Sequence, residues 1–168
     1  MLPRPLRAVH EAELTIYENP GVMPKAFLAR DLRLVPDSAE RVRLMTAADF
    51  DPRVAIVHDA ELAGRLADSM PIAGDPGEVE VVRYEPREIE IALRSAGTGL
   101  LIVGDLFDTG WSAELRAADE VRAVPIERVD HALRGIVVPP GRSTVVMRYD
   151  PWTTTVALVA ASLALAVL

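Results

Sequence analysis

A chain of 168 residues with no cysteine and a net charge of −7 excludes disulfides and thiolate metal sites, and argues against a nucleic-acid footprint. Seventeen of its 18 basic residues are arginine and lie among acids, so no basic stripe forms. The length suits one domain and a tail, large enough to bury about 70% of its unfolded surface without covalent staples.

Residues 1–12 read as a loose lead-in. They contain no apolar run of the kind a signal peptide needs, so an exported domain would depend on an upstream membrane segment. Residues 13–18 alternate, with Leu14 and Ile16 on one face, and predict a strand. Asn19-Pro20-Gly21 is a turn signal. Residues 26–35 alternate again and predict one further strand. Asp37 followed by Glu40 resembles a capping box, opening a helix to about Ala48 with Val42 and Met45 turned inward. A short strand over 53–58 and a helix capped by Asp59, through Leu66, complete an α+β N-terminal half.

Residues 71–77 are rich in Pro, Gly and Asp and mark an internal boundary. Strand signals dominate beyond it, at 79–84, 88–94, 100–103, 111–115, 122–126, 132–138 and 144–149. Residues 88–94 alternate strictly, with Ile89, Ile91 and Leu93 on one face. Leu100 to Val103 is a continuous apolar run, suited to a strand buried on both faces. Short strands at this spacing predict a mainly β domain, a β-sandwich of jelly-roll-like type over residues 13–149.

Residues 150–168 read as the start of a transmembrane helix. Asp150 fits an N-cap and Pro151 the first helical position, with Tyr149 and Trp152 as boundary aromatics. Of the 13 residues from Val156 to Leu168 only Ser162 is not apolar, which leaves no polar face for water. From Thr153 the run covers about 24 Å at 1.5 Å per residue, short of the roughly 30 Å of a bilayer core. The alternatives are a truncated membrane span and a buried helix of a soluble domain. The first implies a fragment of a larger membrane protein.

The second half carries a recognisable arrangement. Leu100-Leu101-Ile102-Val103-Gly104-Asp105-Leu106-Phe107-Asp108-Thr109-Gly110-Trp111 is followed by His131-Ala132-Leu133-Arg134-Gly135 and Pro139-Pro140-Gly141. Val145-Val146-Met147-Arg148-Tyr149-Asp150-Pro151 then leads into the apolar tail. This resembles the C-terminal extracytoplasmic domain of YfhO-type bacterial membrane proteins. Tyr17-Glu18-Asn19-Pro20 and Pro24-Lys25-Ala26-Phe27 resemble that family's Tyr-Glu-Asn and Pro-Arg-Ala-Phe segment. The resemblance spans about residues 14–168. Thr109 stands where the family has Pro, and the usual Asp-Gly turn after Gly-Trp is replaced by residues 114–119. YfhO-type proteins resemble GT-C glycosyltransferases, which transfer sugar from a polyprenyl-phosphate donor to an envelope polymer such as lipoteichoic acid. Their catalytic acids are expected in loops between upstream membrane helices. The resemblance thus implies a non-catalytic accessory or acceptor-recognition domain at the cytoplasmic membrane, on the extracytoplasmic side.

The binding candidates are Asp105, Phe107, Asp108, Trp111 and Arg134. A sugar site stacks a ring on an aromatic face and holds hydroxyls with carboxylates, and the loop 105–111 has both residue types. The competing reading makes the Asp residues turn formers and Trp111 a core residue. Asp105 and Asp108 could also be the acid pair of a glycosidase, a mechanism that demands a defined separation. Arg134 suits a bidentate clamp on carboxylate or phosphate, or a structural pair with an inner acid such as Asp105. His10, His58 and His131 lack ligand spacing, and no glycine-rich phosphate loop or Gly-x-Ser-x-Gly is present. No metal, cofactor or catalytic residue is therefore expected in this chain. The expected partners are the membrane, through residues 152–168, a glycan or envelope polymer, and the parent's missing helices. A stand-alone soluble lectin or hydrolase and a purely bracing domain are the alternatives.

Overall fold

In the computed structural model, which describes residues 6–67 and 77–151, strands dominate and only two short helices occur. β1 (Arg7–Glu11) and β2 (Thr15–Glu18) pair antiparallel as a fully exposed ribbon, so part of the segment expected as a lead-in is ordered. The alternating stretch 26–35 divides into β3 (Ala26–Leu28) and β4 (Asp31–Leu34). The break is where the chain changes neighbours: the Ala29 N–H bonds Leu100 O, and the Arg30 N–H bonds Arg53 O. α1 (Ser38–Met45) starts at Asp37, whose side chain accepts the Glu40 N–H at 2.8 Å. β5 (Val54–Val57) follows, then α2 (Ala60–Ala67), whose Leu62 N–H is capped by Asp59 at 2.9 Å.

The rest is β: β6 (Gly77–Glu85), β7 (Glu88–Ser95), β8 (Gly99–Leu106), β9 (Trp111–Ala117), β10 (Glu120–Val124), β11 (Glu127–Val129), β12 (Leu133–Val138) and β13 (Gly141–Tyr149). One sheet has the order β10-β9-β13-β7-β6 and is antiparallel throughout. The other has the order β3-β8-β12-β11-β5-β4, with β4–β5 as its parallel pair. Gly141 takes φ +93° at the turn into β13, a conformation that suits glycine.

The two sheets share one apolar cluster. Ile89, Ile91, Leu115, Val145 and Met147 from the first meet Leu28, Leu101, Val103, Ile136 and Val138 from the second. Leu100 and Ile102, on the other face of β8, pack with Leu62 and Leu66 of α2 and with Val57 and Val129. The run 100–103 is thus buried on both faces, all four residues at 0% exposure. Each such side chain stabilises the fold by about 1.5–3 kcal/mol on burial.

Val42, expected to face inward, is 45% exposed. The half-buried stripe of α1 is Arg41, Leu44 and Met45 instead. Arg41 sets that rotation by donating Nη1 to Val35 O and Pro36 O. Among the described residues no helix is long and apolar enough to cross a membrane. The expected membrane segment over 152–168, with Trp152, lies outside the described residues, as does most of the 71–77 boundary.

Candidate functional site

Two register irregularities bring together a half-exposed polar cluster that draws on both sheets. In β6 the pairing steps from Val81↔Ile91 to Arg83↔Glu90, so Val82 is an extra residue. A bulge of this kind re-aims the side chains beyond it. Val79 and Val81 pack on the core from one parity of the strand. After the bulge Tyr84 stands opposite Ile89 and joins that same face. In β8 the pairing steps from Val103↔Arg134 to Leu106↔Leu133, leaving Gly104 and Asp105 as bulged residues. The Gly104 N–H bonds Lys25 O at 2.8 Å, which brings the segment before β3 alongside.

Asp105 is the centre of the resulting cluster. Lys25 Nζ donates to its Oδ1 at 2.5 Å, and the Tyr84 hydroxyl reaches both oxygens at 3.1 Å. Arg134 Nη1 lies 4.0 Å from Oδ2. The Arg134 guanidinium sits 4.1 Å from the Trp111 ring centroid, and its Nε donates to Leu106 O at 2.8 Å. The Trp111 and Tyr149 rings lie 5.2 Å apart at a 41° tilt, and Lys25 Nζ is 4.8 Å from the Tyr84 centroid. Both sheets therefore contribute: Tyr84, Trp111 and Tyr149 from one, Asp105 and Arg134 from the other.

The charges respond to these neighbours. The hydrogen bond to Asp105, and secondarily Tyr84, raises the Lys25 pKa above its ordinary value. Burial pulls the Arg134 guanidinium below its usual range, partly offset by negative charge, Asp105 foremost. On the outer face of the first sheet, Arg148 bridges Glu88 and Glu114, with Arg83 and Arg116 beside them. These pairs form a solvated charge ladder on the Glu/Arg-rich strands.

A second feature adjoins the first. A cleft of about 370 Å³ is lined by Met23, Phe27, Met45 and Phe50, with Lys25 and Asp130 among its polar residues. Asp130 is 4% exposed, and its Oδ1 accepts the Ile56 N–H at 2.6 Å. Asp130 and His131 take φ of +46° and +66°, so the turn between β11 and β12 is left-handed. Burial pushes the Asp130 carboxyl up to about 6.

Of the residues singled out from sequence, Asp105, Trp111 and Arg134 come together. Asp108 stands at the margin, accepting the Gly110 N–H at 2.8 Å while its charge acts on Arg134. Phe107 belongs elsewhere: its ring lies 4.9 Å from the Arg128 guanidinium. Lys25, Tyr84 and Asp130 were not singled out as site residues. Lys25 is the one lysine of the chain and lies within a quoted motif, which was the available signal. Nothing in the local pattern announces the Val82 bulge that turns Tyr84. Among the described residues no group of His, Asp and Glu could hold a metal ion. Comparison with protein-family models, curated proteins and solved structures gave no match.

Proposed function

We propose that the chain is a β-sandwich recognition module, non-catalytic in itself, serving a membrane-bound bacterial envelope glycosyltransferase of YfhO type. In this reading residues 152–168 enter the cytoplasmic membrane and the domain lies on its outer side. The observation that carries it is where β13 ends. The Tyr149 N–H bonds Arg87 O at 2.9 Å, and the Asp150 N–H bonds Gly110 O at 2.8 Å. The strand that leads into the apolar run is thus stitched to the loop bearing Asp108 and Trp111. A cluster of Trp, Tyr, Arg and Lys there has the composition of a protein end that meets headgroups and lipid-linked glycans.

The chemistry suits recognition. Asp105 is held by Lys25 and Tyr84, and Asp108 by a backbone N–H. Carboxylates positioned this way accept sugar hydroxyls at their free lone pairs. Tyr84 and Lys25 are the accessible members, the tyrosine 52% exposed.

A second reading, a bracing domain with no ligand, is favoured by the burial of Arg134 against Trp111, which covers one face of the indole. Titration of the full chain in detergent micelles with polyol-phosphate oligomers of the teichoic-acid type separates the two. Recognition predicts saturable binding lost in Asp105→Asn and Lys25→Gln at an unchanged melting temperature. Binding by neither wild type nor variants, with destabilisation alone, supports bracing. A chain that is monodisperse without detergent overturns the membrane reading.

A further inference from the structure

The cleft beside the cluster has a chemistry of its own. Its mainly apolar walls include two phenylalanines and two methionines, the latter side chains that adapt to an apolar guest. Its volume of about 370 Å³ falls at the small end of ligand pockets. Asp130, a residue only 4% exposed, is part of its lining. Among the described residues the Asp130 carboxyl has one side-chain hydrogen bond, from the Ile56 N–H, and no cation pairs with it. A buried carboxylate without a counter-charge is costly.

Lys25 also lines the cleft, where its charge is already matched by Asp105. Its Nζ is taken by Asp105 at 2.5 Å and lies 3.4 Å from Gly104 O. An anionic head thus finds a cation already neutralised by Asp105, whereas a cationic head meets an unmatched acceptor in Asp130. We propose that this cleft binds a small organic ammonium compound with an apolar body, Asp130 receiving the ammonium and Phe27, Phe50, Met23 and Met45 enclosing the body. The aromatic walls add attraction for the cation. The assignment does not depend on the glycan reading, since it uses a different acceptor and a different ligand class.

The test uses the full chain with methyl-labelled methionine, titrated with benzylamine, benzyl alcohol and benzoate at pH 7.5. Benzylamine should shift the Met23 and Met45 methyl signals saturably, with a millimolar dissociation constant on the order expected for a ligand of this size. Benzoate should bind at least about tenfold more weakly, a difference of roughly 1.4 kcal/mol. Asp130→Asn should erase the preference for benzylamine over benzyl alcohol. Met45→Ala should weaken both ligands alike, which keeps the test decisive if the Asp130 variant folds poorly. Benzoate binding as well as benzylamine, a preference that survives Asp130→Asn, or silent methyl signals with all three compounds would each overturn the assignment.

Discussion

The guanidinium of Arg134 lies over the indole of Trp111, 4.1 Å from its centroid, and joins the two sheets at one end of their shared core. Arg134 is 5% exposed, so its charge is sustained by Trp111, Asp105 and Leu106 O together. Lysine keeps the charge but loses the planar stacking and the Nε donor. Arg134→Lys should cost about 1–2 kcal/mol, and Arg134→Ala about 2–5 kcal/mol because the buried stem, the contact with Trp111 and the bond to Leu106 O are all lost, while Asp105 keeps Lys25. A double-mutant cycle with Trp111→Leu, followed by urea unfolding, should give a coupling of about 1–2 kcal/mol. A coupling near zero would mean that the contact holds nothing.

Tyr84 reaches Asp105 only because Val82 bulges β6. Removing the hydroxyl in Tyr84→Phe should cost about 0.5–1 kcal/mol, the net worth of one hydrogen bond. Lys25→Met should cost less than about 1 kcal/mol, since the lysine side chain is 41% exposed and its attraction is screened. Its effect should shrink between low and high salt, while that of Tyr84→Phe should not. Equal salt dependence in the two variants would contradict this division of labour.

The strands were legible in the sequence where one face is buried, as at Ile89, Ile91 and Leu93, because period-two alternation records a core on one side. The run Leu100 to Val103 was equally plain, its four residues divided between two cores. The break between Leu28 and Asp31 was not, because tertiary partners impose it: Ala29 is tied to β8 and Arg30 to Arg53. Val42 misled for a related reason, since a half-buried Arg41 outweighed an apolar neighbour. The pairing of Arg134 with Asp105 was among the readings drawn from sequence. Tyr84 was hidden by a one-residue bulge, and Asp130 by a left-handed turn that no glycine marks.

Ser143 offers a stabilising change. It sits in β13 on the same face as Val145 and Met147, is 7% exposed, and its hydroxyl has no protein partner among the described residues. A buried hydroxyl without a partner costs free energy that a methyl does not. Ser143→Ala should raise stability by about 1 kcal/mol, seen as a higher urea midpoint at unchanged slope. A lower midpoint would show that the hydroxyl is satisfied in solution.

Asp130 should make stability depend on pH in an unusual sense. Its carboxyl is raised from 3.8 to about 6 by burial, so the folded chain holds the proton more tightly than the unfolded chain. The resulting stabilisation is fully present below the unfolded pKa and is lost as pH rises through the folded one. Between about pH 4 and 6 the carboxyl should therefore cost the fold on the order of 2–3 kcal/mol, each tenfold change in proton affinity being worth about 1.36 kcal/mol. Ordinary acids act the other way, and Asp59 and Glu114, both held below their usual values, lose stabilising contacts on acidification. Subtraction isolates Asp130. Asparagine keeps an acceptor for the Ile56 N–H and tolerates the left-handed backbone. The stability of Asp130→Asn relative to wild type should rise steadily from pH 4 to about 6.5 and then level off, as followed by urea unfolding at half-unit steps. A difference that stays flat across this range would mean that the carboxyl titrates as it does in the unfolded chain.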